Sequence, residues 1–406
     1  MPVVNQNTSE SHPDNFFPDQ TFYRACLNGD LDQVERSLAE GVNVNAVMTA
    51  DFTALMLASS GGHTDVVERL INAGADLNAR TEDGATPLLI AAQENNTECV
   101  QRLINAGADL NARTEDGVTP LFIAAEENNT ECVQRLINAG ADLNARTKDS
   151  ATPLLIAAQE NNIECVQRLI NAGADLNTRT VDGATPLFIA AQRNNTECVK
   201  RLINAGADLN ARTVDGATPL FIAAQENNTE CMQRLINAGT DLNAQTEDCA
   251  TPLLIAAQEN NTECVQLLIN AGANINARNE NGATPIFFAA IKGNSDCVKR
   301  LINAGADLNA RTSDGITPLF MAAQENNTDC VKLLINAGAD LNARTSDGTT
   351  ALFVAAQENN TDCVKLLINA GADLNARTSD GATPLLIAVQ ENNTDCMQLL
   401  INAGAR

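Results

Sequence analysis

Cysteine is the residue in this sequence whose spacing most strongly suggests chemistry. Ten of the twelve cysteines occupy one position of a text that repeats every 33 residues. These ten are Cys99, Cys132, Cys165, Cys198, Cys231, Cys264, Cys297, Cys330, Cys363 and Cys396. Such a row could form disulfides or hold metal ions. In a stack of packed helices, however, successive members would lie about 10 Å apart, whereas a disulfide requires Cα atoms within roughly 7 Å of each other.

The remaining residues offer these thiols no partners for metal binding. The sequence has no Cys-x-x-Cys pair and its two histidines are His12 and His63, so the ligand spacing of zinc sites is absent. We therefore predict reduced cysteines that act as small apolar side chains, and we expect neither a metal nor a cofactor. Free thiols indicate a reducing compartment, so we expect a cytoplasmic protein, with delivery into a host cell as the alternative.

The segment Asn95-Asn96-Thr97 and its relatives match the N-glycosylation pattern. Glycosylation requires secretion, but the opening segment MPVVNQNTSESHPDN shows neither the cationic nor the apolar region of a secretory signal. Asn tolerates the left-handed backbone of a tight turn, and Thr or Asn can cap a helix. We therefore interpret NNT as a turn followed by the start of a helix.

Carboxylates are abundant enough to suggest acid catalysis or calcium binding. The chain has 51 Asp and Glu against 26 Lys and Arg, a net charge of −25. These carboxylates recur once per repeat, as expected of a solvated acidic face, and those at helix N-termini suit the helix dipole. We expect no catalytic residue and no enzymatic activity. The negative charge also disfavours nucleic acids and anionic membranes as partners.

The 33-residue period defines the organisation of the chain. The text TEDGATPLLIAAQENNTECVQRLINAGADLNAR at 81–113 recurs with small changes. We predict a polar, disordered tail at 1–14, a divergent capping repeat at 15–47 and a shortened repeat at 378–406. Ten full repeats lie between them, at 48–80, 81–113, 114–146, 147–179, 180–212, 213–245, 246–278, 279–311, 312–344 and 345–377.

Each repeat encodes two short helices. Thr86 followed by Pro87 is a strong helix start, and the three-and-four spacing places Leu88, Ala91 and Ala92 on the inner side of this first helix. The two asparagines then end it. The second helix, ECVQRLINA, carries an apolar stripe that begins at the row cysteine and stops before a glycine. A polar segment with an Asp-Gly turn leads to the next repeat.

This order, with the motifs GATPL, AA, VxxLI and GADLNA, resembles the ankyrin repeat family over residues 15–406. The resemblance implies an all-α, ankyrin-repeat solenoid of stacked helix-turn-helix units with projecting β-hairpin-like fingers. One departure is consistent: the family's histidine after TPL is replaced by Leu or Phe, as at Leu89 and Phe122. We expect apolar contact between repeats to replace the polar tie that this histidine makes.

The resemblance also implies a non-enzymatic scaffold that binds proteins through its concave groove, which is acidic here and suited to a basic or extended partner. A structural spacer without a specific ligand, or the ankyrin segment of a host-directed effector, are the alternatives. Polar residues that recur at the end of the first helix form a strip along this groove, and two repeats depart from that pattern. The candidate contact residues come from the strip and from these two repeats. They are Gln93, Glu94, Glu127, Arg193, Phe288, Ile291 and Lys292.

The last repeat differs from what a terminal repeat requires. Terminal repeats of stacked arrays need a polar outer face, yet residues 378–406 keep the apolar interior pattern, including Leu386 and Val389. We expect part of this apolar flank to face water. The repeat would then fray, associate end to end with another chain through residues 378–406, or continue into a longer natural protein.

Overall fold

The computed structural model describes residues 18–48 and 51–406. The predicted disordered tail at 1–14 lies outside the described residues, as does the beginning of the predicted capping repeat. Within the described ranges the regular structure is α-helical, apart from one antiparallel bridge between Val47 and Thr53. None of the helices described is both long and apolar enough to cross a bilayer.

The described residues form 24 short helices. They are α1 Pro18–Asn28, α2 Leu31–Ala39, α3 Ala54–Ser60, α4 Thr64–Asn72, α5 Pro87–Gln93, α6 Thr97–Ala106, α7 Pro120–Glu126, α8 Thr130–Ala139, α9 Pro153–Gln159, α10 Ile163–Asn171, α11 Pro186–Gln192, α12 Thr196–Asn204, α13 Pro219–Gln225, α14 Thr229–Asn237, α15 Pro252–Gln258, α16 Thr262–Ala271, α17 Pro285–Ile291, α18 Ser295–Asn303, α19 Pro318–Gln324, α20 Thr328–Asn336, α21 Ala351–Gln357, α22 Thr361–Ala370, α23 Pro384–Gln390 and α24 Thr394–Ala403.

Most odd-numbered helices start as the Thr-Pro signal predicts; α3 and α21 keep the threonine but begin with alanine. In α5, Thr86 is the N-cap with extended backbone, and its hydroxyl accepts a hydrogen bond of 3.3 Å from a backbone amide of the first turn. Pro87 follows, where its missing N–H is not needed. The predicted inner residues Leu88, Ala91 and Ala92 are fully buried. The other side is buried too, since every residue from Pro87 to Ala92 is covered.

This complete burial follows from how the repeats pack. Contacts divide the chain into two compact units, residues 1–175 and 176–406. In the first unit α5 packs between α3 and α7, and in the second unit α13 packs between α11 and α15. Each first helix also packs on its own second helix. A first helix therefore has neighbours on three sides, so it needs apolar residues almost all round.

The turn between the helices of a repeat adopts the left-handed backbone that its asparagine predicts. Asn95 has φ 57°, and its counterparts Gly62 and Gly293 have φ 71° and 69°. Gly enters this region without steric cost, and Asn enters it more readily than most other residues. Alternation of Asn and Gly at this position therefore preserves one backbone geometry.

The even-numbered helices are amphipathic, as their sequence pattern predicts. In α6 the side chains of Cys99, Val100 and Leu103 are buried, while Ile104 is half-buried. The helix ends at Gly107, whose φ of 92° is left-handed and whose amide donates to carbonyls of the last turn.

Fingers between repeats are hydrogen-bonded turns that also join one another. In one finger the Thr114 amide donates to the Val118 carbonyl at 2.9 Å, and the Gly117 amide returns to the Thr114 carbonyl at 3.0 Å. The Glu115 amide donates to the Asp83 carbonyl of the preceding finger at 2.9 Å. Stacking of the repeats therefore fixes the fingers as well as the helices.

The last repeat exposes apolar side chains, as its sequence predicts. The exposed fractions are 45% for Leu386, 48% for Val389 and 48% for Ile401, whereas Phe353, the counterpart of Leu386 one repeat earlier, is 7% exposed. Leu400 remains buried on the inner side of α24. The exposed side chains belong to the face that the next repeat covers elsewhere in the stack.

Candidate functional site

The second asparagine of the interhelical turn joins neighbouring repeats in most of the repeats. The Asn129 side-chain amide donates to the carbonyls of Ala92 and Gln93, both at 2.8 Å. Carbonyls at a helix C-terminus lack partners within the helix, so this amide satisfies two of them. Asn129 occupies the N-cap position of α8, but its side chain makes no cap hydrogen bond. The predicted capping role of this side chain is therefore wrong, because the amide serves the preceding repeat instead.

This inter-repeat amide bond recurs through both units. The same pair of hydrogen bonds is made by Asn96, Asn162, Asn228, Asn261, Asn327, Asn360 and Asn393. Asn294 is different: its side chain caps its own helix by accepting from the Cys297 amide, and its amide group contacts the Thr262 hydroxyl at 3.1 Å.

The cysteine row is buried and chemically quiet. All ten row thiols are free and buried, as the sequence predicts. The Thr97 hydroxyl lies 3.7 Å from the Cys132 sulfur, and burial raises the pKa of the Cys132 thiol despite this contact. Burial likewise raises the pKa of Cys264 to about 12. A thiol held protonated and covered is a poor nucleophile. Among the twelve cysteines, all in the described ranges, Cys249 is the half-buried one.

The described residues contain no cluster of His, Cys, Asp and Glu that could hold a metal ion. His63 has a structural contact, since its Nε2 lies 2.8 Å from the Leu27 carbonyl of the preceding repeat.

The predicted contact carboxylates Glu94 and Glu127 lie where first helices end. In the unit 1–175, Glu94, Glu127 and Glu160 are the C-cap residues of α5, α7 and α9, and all three are exposed. Gln93 is exposed beside Glu94. None of these three carboxylates forms an ion pair with another residue that the structure describes. Successive first helices pack side by side, so the carboxylates follow one another along the unit.

Glu126 adds a carboxylate where the neighbouring repeats have glutamine. Burial raises the pKa of the Glu126 carboxyl, and the negative charges of Glu127 and Glu160 raise it further. Burial and the nearby negative charges therefore both disfavour the ionised form of Glu126.

Several charged side chains on the even-numbered helices, unlike those at the ends of the first helices, form ion pairs. On these helices arginines and glutamates of neighbouring repeats pair, as in Arg135–Glu98 at 2.9 Å and Arg300–Glu263 at 3.1 Å. Arg135 also lies 3.7 Å from Glu131 within its own helix. Several charges of the second helices are therefore paired, whereas those at the ends of the first helices form no ion pair among the described residues.

The residues predicted in the deviant repeats lie in the unit 176–406. Arg193 and Lys292 are the C-cap residues of α11 and α17, and both are exposed. Ile291, a candidate contact residue beside Lys292, is half-buried because its helix end is partly covered by the stack. Phe288 is half-buried and meets Phe287 edge-to-face at 5.8 Å between ring centroids.

Sequence reasoning missed two exposed apolar residues in the fingers. Val181 and Val214 are each 67% exposed, and the Val214 amide donates to the Asp182 carbonyl at 2.9 Å, so their fingers are adjacent. The signal was available in the repeat register, because the equivalent position holds Glu82 in the repeat at 81–113.

Comparison with known proteins supports the family identified from the repeats. The family description "Ankyrin repeats (3 copies)" matches residues 22–114, 94–180, 157–246, 227–312, 253–345 and 319–406. The crystal structure of the human ASB11 ankyrin repeat domain is similar at 29% identity and a TM-score of 0.49, covering 54% of this chain and 98% of that one. The search of curated proteins found no match. Since the family matches span nearly all of the described residues, the chain belongs to the ankyrin repeat family.

Proposed function

We propose that this protein is a non-enzymatic scaffold that binds a basic or extended protein segment along the ends of its first helices. Ankyrin repeats are generally protein-interaction modules. The specific support is a series of exposed carboxylates that form no ion pair with another described residue. In the unit 1–175 this series includes Glu94 and Glu127. A basic segment would gain several charge contacts there at once.

The physical argument rests on the contrast between the two helix surfaces. Second helices form ion pairs within one helix, as Arg168 does with Glu164, and between neighbouring repeats, as Arg135 does with Glu98. At the first-helix ends, by contrast, glutamates of successive repeats repel one another and have no cationic partner among the described residues. Exposed pairs contribute little individually, so binding here would need many weak contacts along an extended partner.

A matched pair of variants tests this function. The C-cap variant changes the first-helix C-cap residues Glu94, Glu127 and Glu160 to Gln. The control variant changes the second-helix residues Glu98, Glu131 and Glu164 to Gln. Both remove three negative charges. Cross-linking in native cytosol, quantified for each variant, should recover a protein partner with the wild type and the control variant but not with the C-cap variant. That partner should bind more weakly as salt rises, because exposed charges are screened within about 8 Å at physiological ionic strength. If the protein is a spacer without a ligand, no partner will be recovered whose binding depends on Glu94, Glu127 and Glu160.

A further inference from the structure

The ends of the first helices carry a fixed sign pattern in the unit 176–406. Their C-cap residues, in chain order, are Arg193, Glu226, Glu259, Lys292, Glu325, Glu358 and Glu391. All seven are exposed. None forms an ion pair with another described residue. We call these seven residues the C-cap row.

The row is a continuous file, because each first helix packs on the next from α11 to α23. Two positive charges, Arg193 and Lys292, stand three repeats apart, with two negative charges between them and three after them. Near-identity of the repeats makes these two reversals conspicuous, since the position otherwise holds Glu throughout this unit. A uniformly basic partner would meet repulsion at both reversals.

The spacing of the row selects a partner conformation. Packed helices lie about 8–10 Å apart. A polyproline II segment has three residues per turn and rises about 3.1 Å per residue, so every third side chain returns to the same edge about 9 Å further on. In a β-strand, side chains three apart point to opposite faces. A polyproline II segment can therefore present one charge to each member of the row, which a β-strand cannot do.

We propose that the C-cap row binds an extended polyproline II segment whose charges are complementary in register. Such a segment carries acidic residues nine positions apart, opposite Arg193 and Lys292. It carries basic residues at the two intervening third positions, opposite Glu226 and Glu259, and at the third positions that follow. This inference rests on the proposed function and adds to it the sequence pattern of the partner.

Three synthetic peptides of 19 residues test the register, each built on proline and alanine with a charge at every third position. The matched peptide has Glu at positions 1 and 10 and Lys at 4, 7, 13, 16 and 19. The shifted peptide has the same composition with Glu at positions 4 and 7. The uniform peptide has Lys at all seven positions. Fluorescence anisotropy at low and physiological salt measures their binding to the full chain.

The wild type should bind the matched peptide at least about tenfold more tightly than the shifted one, because four mismatched contacts each contribute a modest factor. In the double variant Arg193→Glu/Lys292→Glu the uniform peptide should bind most tightly. This variant should fold, since Glu is the native residue at the other C-caps of the row. The control Lys299→Glu/Lys332→Glu makes the same charge change on exposed residues of second helices and should keep the wild-type preference.

The outcomes separate the register from the proposed function. Equal binding of the three peptides by the wild type would overturn the register and leave a general basic-segment scaffold standing. Equal loss of preference in the control variant would also overturn the register, since net charge alone would explain it. If no charged peptide binds more tightly than an uncharged proline-alanine peptide at low salt, the register and the proposed function both fail.

Discussion

Replacing Asn129 by Asp separates two roles that the sequence alone leaves indistinguishable. Asp is among the best N-cap residues, so a capping role predicts that Asn129→Asp keeps or increases stability. In the structure the Asn129 amide donates to the carbonyls of Ala92 and Gln93 at 2.8 Å. A carboxylate cannot donate, and it would place its charge against two carbonyl oxygens. We therefore expect Asn129→Asp to destabilise the α7–α8 repeat more than Asn129→Ala does.

The magnitude follows from the buried polar groups that lose their partner. Asn129 is 7% exposed, so the carbonyls of Ala92 and Gln93 lose a largely buried donor when the amide is removed. An unsatisfied buried group costs about 1–3 kcal/mol. We expect Asn129→Ala to cost about 2–3 kcal/mol, and Asn129→Asp to cost more than this at neutral pH. The control Asn138→Ala removes an exposed side chain that accepts from Gln134 within α8, and should cost less than about 0.5 kcal/mol.

Native-state hydrogen exchange of the α8 amides is the suitable assay, because long repeat arrays need not unfold in one step. Exchange in α8 should accelerate in the order wild type, Asn138→Ala, Asn129→Ala, Asn129→Asp. Exchange in α14, which lies in the other compact unit, serves as an internal reference. If Asn129→Asp protects α8 as well as the wild type does, the side chain is a cap and the inter-repeat amide bond contributes no stability.

Three further outcomes follow from burial and charge. Thiol labelling without denaturant should modify Cys249 first and the buried row cysteines slowly; rapid labelling of about ten thiols would contradict the buried row. The raised pKa of Glu126 means that the folded state holds this proton more tightly than the unfolded state, so stability from this group is lost as pH rises through the folded pKa. Glu126→Gln should therefore be more stable than the wild type at pH 7 and equal to it once both states are protonated, as urea unfolding at several pH values would measure; a constant difference across pH would refute the assignment. Amides of α24 should exchange faster than those of α14, because Leu386 and its neighbours are exposed, and protection that rises with protein concentration would indicate end-to-end association.

Local signals in the sequence determined the helices and their ends. Thr86 and Pro87 mark a helix start, and Asn95 or a glycine marks the left-handed turn, because these residues restrict or permit backbone angles by themselves. The apolar stripe of the second helices was also readable, since one face packs and the other is solvated. The sign pattern of the C-cap row could be read from the repeat register once the helix ends were known.

Tertiary structure decided the features that depend on the neighbouring repeat. The Asn129 amide reaches carbonyls in the preceding repeat, and no local pattern distinguishes that donor from a cap. First helices inside the stack are buried nearly all round because repeats cover them from both sides, which removes the periodicity that would reveal a single buried face. Whether a surface charge is paired also depends on the neighbouring repeat: Arg135 finds Glu98, whereas Arg193 finds no ion-pair partner among the described residues. Composition and spacing set which groups are present, but their pairing requires atoms that are distant in sequence and brought together by stacking.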